Sequence, residues 1–275
     1  NGEQAPTGFI GSTIPAGAKR IVCMSSSYIA MLDALGQVNR IVAVSGIDYV
    51  SNPYILAHKD SIKDMGPEMN YELLLGLKPD IVLLYGIGDA QTAITDKLKE
   101  LSIPYIYMGE YLEESPLGKA EWMVVLSELT DSREKGIEIF SEIPKRYLSL
   151  KALTESVGQC PTVMFNTPWN DSWVMPSTKS YMAQLVADAG AEYIYKENSS
   201  NSSTSIGLET AYGLIQKADY WINVGSATSL DELKTVNPKF ADAKAVRERT
   251  VYNNNLRLTP TGGNDYWESA VIRPD

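Results

Sequence analysis

The sequence predicts an α/β protein of two lobes, each a mainly parallel sheet flanked by helices, joined by one long spine helix. Three observations carry this expectation. Short, near-continuously apolar segments alternate with helical segments in both halves, as parallel strands covered on both faces do. One long helical pattern, residues 131–157, separates the halves. Across it runs an echo: Tyr71-Glu72-Leu73 leads to Lys78-Pro79-Asp80 and a strand, and Leu208-Glu209-Thr210 leads to Lys217-Ala218-Asp219 and a strand.

In chain order, residues 1–18 are a polar tail with neither an initiator Met nor an apolar signal core, expected as a mature or trimmed start. The N-terminal lobe spans 19–115. Its first strand is 20–24, Ser25–Ser27 supply a helix N-cap, and the helix 28–35 ends at Gly36. A second strand, 40–44, runs into a loop, 46–53. The helix 70–77 is capped by Asn70, and a strand follows at 80–84. Helix 90–101 and strand 104–107 complete the lobe.

Residues 116–158 connect the lobes through a helix at 121–129 and the spine. Asp131 and Glu134 have the spacing of a capping box. Gly136, Phe140, Ile143, Tyr147, Leu150 and Leu153 recur at helical steps, and Pro144 predicts a kink. A rod of about 38 Å is read as a spine; a long surface helix within one domain is the alternative. The C-terminal lobe, 159–275, has a strand at 161–165, a hairpin at 169–175, a helix at 181–189 and an Asn/Ser/Thr loop at 198–205. Helix 208–218, strand 219–224, a loop-rich stretch, strand 250–252 and a helix start at 264–267 follow.

Composition narrows the function. A chain of 275 residues, 44% hydrophobic and 21% charged, suffices for two globular domains. No apolar run approaches the ~20 residues that span a bilayer. A net charge of −10 argues against nucleic acid or an anionic membrane as partner. The one histidine, His58, disfavours His-rich zinc sites and most Ser-His-Asp triads. Cys23 and Cys160, on predicted strands, are expected to be buried free thiols. No phosphate-binding Gly-x-x-x-x-Gly-Lys motif occurs, and Gly86-Ile87-Gly88 lacks the third glycine of a dinucleotide fingerprint. An enzyme with its active site between the lobes is the rival reading. Asp48 and Asp89 lie at strand ends, but neither has a clear acid–base partner. No cofactor is expected.

Arg20-Ile21-Val22, the block from Asn70-Tyr71-Glu72 through Leu77-Lys78-Pro79-Asp80 to Leu83, and the spine resemble the periplasmic binding proteins of iron-siderophore, haem and cobalamin ABC importers. So do Ser180-Tyr181-Met182, Leu208-Glu209 and Gly262-Gly263-Asn264-Asp265-Tyr266-Trp267-Glu268. The resemblance covers residues 18–275. It implies a ligand cleft between two lobes, with Glu72 and Glu209 matching acidic residues that dock onto arginines of the permease. It also implies a monomer in the periplasm or cell envelope, exported and compatible with a lipid anchor. Family members usually continue beyond Arg273-Pro274-Asp275 into a C-terminal helix, so a trimmed or differently closed C-terminal lobe is expected.

The cleft implied by this topology together with the resemblance takes Ser27 from the first strand end. Tyr49, Tyr54 and Tyr85 face Trp169, Trp173 and Trp267 across it. Sixteen tyrosines and five tryptophans against four phenylalanines favour rings that stack and still hydrogen-bond. Arg257 is a candidate partner for an anionic chelate. A ferric siderophore is the first expected ligand. A corrinoid, which needs aromatic walls, and haem, which needs an axial Tyr or His, are the alternatives.

Overall fold

The computed structural model describes residues 14–66, 68–86, 91–200 and 202–275, with backbone alone for 91 and 92. Residues 1–13, Gly88 and Asp89 lie outside the described residues. The N-terminal lobe is built from β1 (Ile21–Cys23), α1 (Ser26–Ala34), β2 (Ile41–Val44), α2 (Pro53–Ala57) and β3 (Lys63–Asp64). It continues with α3 (Tyr71–Leu77), β4 (Ile81–Tyr85), α4 (Gln91–Glu100) and β5 (Tyr105–Met108). All five strands are parallel, in the order β3-β2-β1-β4-β5. Alternate residues of β1 and β4 feed two cores. Ile21, Cys23, Ile81 and Leu83 pack under α1, while Val22, Val82 and Leu84 pack with Leu74 and Leu98 of α3 and α4. Burial on both faces is why these strands are apolar throughout. Strand order reverses between β1 and β4, and at such a switch point the strand ends leave a crevice.

Two helices follow, α5 (Pro116–Leu129) and α6 (Arg133–Thr154). The first begins five residues earlier than expected, because proline is tolerated in a first helical turn and the Ser115 side chain accepts from Gly118 N–H. The spine, α6, has 22 residues and contains Pro144. Asp131 does not cap it. That residue lies in the left-handed region at φ 55°, and Ser132 holds the N-cap position. At Gly136 a Cβ would collide with the Ser127 side chain, so glycine sets how closely α6 lies on α5.

The C-terminal lobe comprises β6 (Thr162–Phe165), β7 (Pro168–Trp169), β8 (Ser172–Met175), α7 (Tyr181–Asp188) and β9 (Glu192–Tyr193). It continues through β10 (Thr204–Gly207), α8 (Leu208–Ile215), β11 (Tyr220–Ile222), α9 (Leu230–Val236), α10 (Lys244–Glu248), β12 (Val251–Tyr252) and α11 (Asp265–Ser269). A parallel sheet, β12-β11-β6-β9, is accompanied by an antiparallel one, β10-β8-β7. The end of the expected 198–205 loop is therefore a strand, with Ile206 registered on Trp173. The loop-rich stretch before β12 contains two short helices. Cys160 precedes its strand and is exposed; only Cys23 is a buried thiol.

The sequence echo has a structural counterpart. Asp80 accepts from the backbone N–H groups of Lys19 and Arg20 at 2.7 and 2.9 Å, and the Arg20 guanidinium donates to Leu77 O. Asp219 accepts from Thr162 N–H at 2.7 Å, and the Thr162 hydroxyl donates to Lys217 O. Each lobe thus ties the start of its first strand to the same helix–strand corner. Asp219 is also bonded to Lys244 at 2.6 Å, and Lys244 and Thr162 hold its carboxyl at about 2.

The C-terminal part of the spine is anchored on α7. Asp188 of α7 accepts from Tyr147 at 2.6 Å and pairs with Lys151 at 2.7 Å. Burial raises the Asp188 carboxyl, but bonds from Lys151, Tyr147 and Gln184 outweigh it and hold the group below its usual range.

The chain also crosses between the lobes a second time, which differs from the expected C-terminal lobe of 159–275. Val271 and Ile272 are buried in the N-terminal core beside Ile29 and Leu32. Glu268 accepts from Ser51 N–H at 2.7 Å, the Thr261 hydroxyl donates to Asp48 O, and Asp275 pairs with Arg146 of the spine at 2.7 Å. The reason is apolar: Val271 and Ile272 complete the surface that α1 leaves open. Two crossings restrict hinge motion more than one. Scattering curves with and without saturating ligand should nearly superimpose; a change in radius of gyration typical of large hinge closure would contradict this.

Candidate functional site

The C-terminal strand ends of the N-terminal lobe meet the C-terminal lobe across two adjoining cavities. The smaller, about 200 Å³, is lined by Ser25, Ser27, Glu110, Lys119, Tyr181 and Trp267, among others. The larger, about 500 Å³, runs from Tyr111 and Glu113 to Ser177, Lys179, Ser180 and Ser202. Tyr111 and Tyr181 border both. Helix α7 reaches this point because Ser180 caps it, accepting from Ala183 N–H.

Ser27 stands at the floor, almost buried, and donates to Glu110 Oε1 at 2.9 Å. Glu110 follows β5 in a short helical turn. Burial pushes its carboxyl up, partly offset by the Ser27 hydroxyl and the charge of Lys119. Burial pushes Lys119 down, with Glu110 opposing, and its ammonium lies 4.1 Å from the Tyr181 ring centre. The same burial pushes Tyr181 up to about 12.

The aromatic candidates divide. Tyr49 is 71% exposed and Trp169 74%, while Tyr85 and Trp267 are each 42% exposed. Tyr49 follows β2 and Tyr85 ends β4, both at the cleft edge of the sheet. Trp169 ends β7, and Trp267 lines the smaller cavity. Two expected ligand contacts are corrected. Trp173 is fully buried in the core, its indole donating to Phe165 O at 2.8 Å. Tyr54 packs half-buried on the N-terminal core with its ring stacked 4.0 Å from that of His58. Arg257 is paired with Asp265 at 2.6 Å, at the base of the excursion that leads into α11, and its side chain stays 67% exposed.

Glu110 and Lys119 escape a reading built on aromatics. Glu110 carries a signal, since Gly109-Glu110 directly follows an apolar strand at a ligand-bearing sheet edge. Lys119 carries none, being one lysine on a helix. Leu256, 95% exposed beyond β12, was also unmarked. Asn253 and Asn255 brace its loop, their side-chain amides donating hydrogen bonds to Ala227 O.

Glu72 and Glu209 lie in the first turns of α3 and α8 and are exposed. Neither forms an ion pair among the described residues. Each helix precedes a parallel strand, so its start lies at the sheet edge that carries the cleft.

Two α/β lobes, a spine, and a cleft with an aromatic rim and a polar floor define a solute-binding protein of the two-lobed class. The chain belongs to the periplasmic binding protein family, whose model matches residues 21–255, and it is a binding protein rather than an enzyme. It is 26% identical over 270 residues to an uncharacterized lipoprotein of Methanocaldococcus jannaschii, covering 93% of this chain and 62% of that protein's length. Among solved structures, the periplasmic vitamin B12 binding protein of Vibrio cholerae superposes with TM-score 0.69 at 17% identity, over 94% of this chain and 97% of that one. The siderophore binding protein FhuD of Vibrio cholerae, bound to Fe3+-Desferal, also gives 0.69 at 17% identity, over 93% and 95%.

Proposed function

We propose that this protein works outside the cytoplasm, captures an iron-siderophore-type chelate between its lobes and delivers it to the permease of an ABC importer. The observation that supports the ligand class is the exposure of Tyr49 and Tyr85 at strand ends of the N-terminal lobe and of Trp267 at the smaller cavity, with Trp169 exposed on the hairpin of the other lobe. Rings left in water cost free energy that a flat or partly apolar ligand recovers on covering them. The likeness to a siderophore binding protein bound to Fe3+-Desferal supports a chelate of the hydroxamate kind. A corrinoid is the second reading, favoured by the same aromatic rim and by the likeness to a vitamin B12 binding protein. The exposed Glu72 and Glu209 are the permease contacts in this reading. Its extracytoplasmic placement is supported by the family and by the lipoprotein relative.

Titration with ferrioxamine B, ferrichrome, cyanocobalamin and haemin, followed by tryptophan fluorescence, tests the ligand. One of the hydroxamates should bind most tightly. Trp169→Ala should weaken that binding several-fold, since a desolvated aromatic contact contributes on the order of 1 kcal/mol beyond area burial. Preferential binding of cyanocobalamin would install the second reading, and no binding by any of the four would overturn both.

A further inference from the structure

We propose that the smaller cavity is a subsite for an uncharged amide group of the ligand, held between the Lys119 ammonium and the hydroxyl chain that leads from Ser25 to Glu110. The proposal deepens the binding-protein reading and rests on it. Glu110 is only 4% exposed, and its Oε2 is buried without a hydrogen-bond partner. Lys119 has the Tyr181 ring as its close neighbour and no hydrogen-bond acceptor among the described residues. A buried carboxyl and a half-buried amine, opposite in sign when ionised, therefore line one cavity of about 200 Å³, each with unused hydrogen-bonding capacity. Buried polar groups are normally paired, and unpaired ones call for an explanation.

The hydroxyl chain has a direction. Ser27 commits its one proton to Glu110 Oε1. In the 2.9 Å contact between Ser25 Oγ and Ser27 Oγ, the donor must then be Ser25. This leaves Ser25 lone pairs as acceptors at the cavity wall, opposite the Lys119 donor. The groups around this pair are Ser25 and Ser27 from α1 and the turn before it, Tyr111 from the turn after β5, Tyr181 from α7 and Trp267 from α11. None supplies a further full charge.

Charge then selects the guest. A carboxylate would compensate Lys119 and leave Glu110 facing a second anion in a desolvated space. An ammonium would do the reverse to Lys119. A neutral group carrying both an acceptor oxygen and an N–H satisfies both sides without adding charge. A carboxamide has this form: its oxygen accepts from Lys119 and its N–H donates to the unpaired Glu110 Oε2, with the Ser25 lone pairs beside it. Peptide and acid-amide arms of hydroxamate chelates carry it, and so do the side chains of corrinoids.

Acetamide, acetate and methylammonium serve as probes, so this test does not depend on the chelate titration. Binding is read from the side-chain 15Nζ resonance of Lys119 in lysine-labelled protein, assigned with Lys119→Arg. Acetamide should shift that resonance saturably and bind at least tenfold more tightly than acetate or methylammonium. Glu110→Gln, which keeps the Lys119 resonance, should weaken acetamide at least fivefold. Should a variant fold poorly, the three-probe comparison on the unaltered chain decides alone. Tighter binding of acetate or methylammonium, or no saturable acetamide shift, would overturn the subsite. Acetamide binding without chelate binding would retain the subsite and remove the siderophore reading.

Discussion

Trp173→Ala should destabilise the protein by about 3–5 kcal/mol, the usual cost of removing a large aromatic side chain from a core. The residue is fully buried, its ring 5.7 Å from that of Trp221 and 5.1 Å from that of Phe240. Truncation leaves a cavity and also strips Phe165 O of its indole donor. At roughly 2–4 °C per kcal/mol for a chain of this size, the midpoint of thermal unfolding should fall by on the order of 10 °C. Trp169→Ala, in the same hairpin, should change stability by no more than about 0.5 kcal/mol, because its side chain is solvent-exposed. Calorimetry of the two variants checks the division directly. Equal midpoints would return Trp173 to the candidate ligand surface.

Replacing Glu72 and Glu209 together by Ala should leave folding and ligand affinity intact while abolishing stimulation of the importer's ATPase in reconstituted vesicles. Both carboxylates are exposed in first helical turns, where dipole complementarity contributes only about 0.3–1 kcal/mol each. Across an interface the same groups can accept bidentate, charge-assisted hydrogen bonds from arginine. A pair on separate lobes would also set the orientation of the binding protein on its permease. Single substitutions should give intermediate stimulation. Full stimulation by the double variant would remove the docking assignment while leaving the ligand question untouched.

The alternation of apolar strands and helices was legible residue by residue, because a strand buried on both faces admits little else. The echo around Glu72 and Glu209 was legible too, and the bonds of Asp80 and Asp219 give it a physical cause. The site was only partly readable. Trp169 and Trp173 were grouped by residue type, although the hairpin separates them. Its two-residue connection registers Trp169 with Ser172 and Pro168 with Trp173. Since directly opposed residues share a face and successive ones alternate, the two tryptophans lie on opposite faces. That argument was available from the spacing once the turn at Asn170 was placed. The burial of Glu110 and Lys119 was not, because it depends on how α5, α7 and the returning C-terminal segment meet. That return carries few sequence signals: Val271 and Ile272 are two apolar residues after a five-residue helix, and only the gap they fill explains them.

If the cleft between the lobes holds a metal chelate, the most direct test is diffraction at the iron absorption edge from crystals grown with the tightest-binding ferric chelate of the titration. One anomalous peak is expected in the cleft, bounded by Tyr85 and Trp267, with the ligand's organic shell reaching Trp169 and one of its amide groups in the cavity beside Lys119. A peak elsewhere would contradict it. One behind the spine, in the apolar pocket of about 350 Å³ lined by Leu150, Leu153 and Leu185, would put the binding site on the wrong side of the molecule.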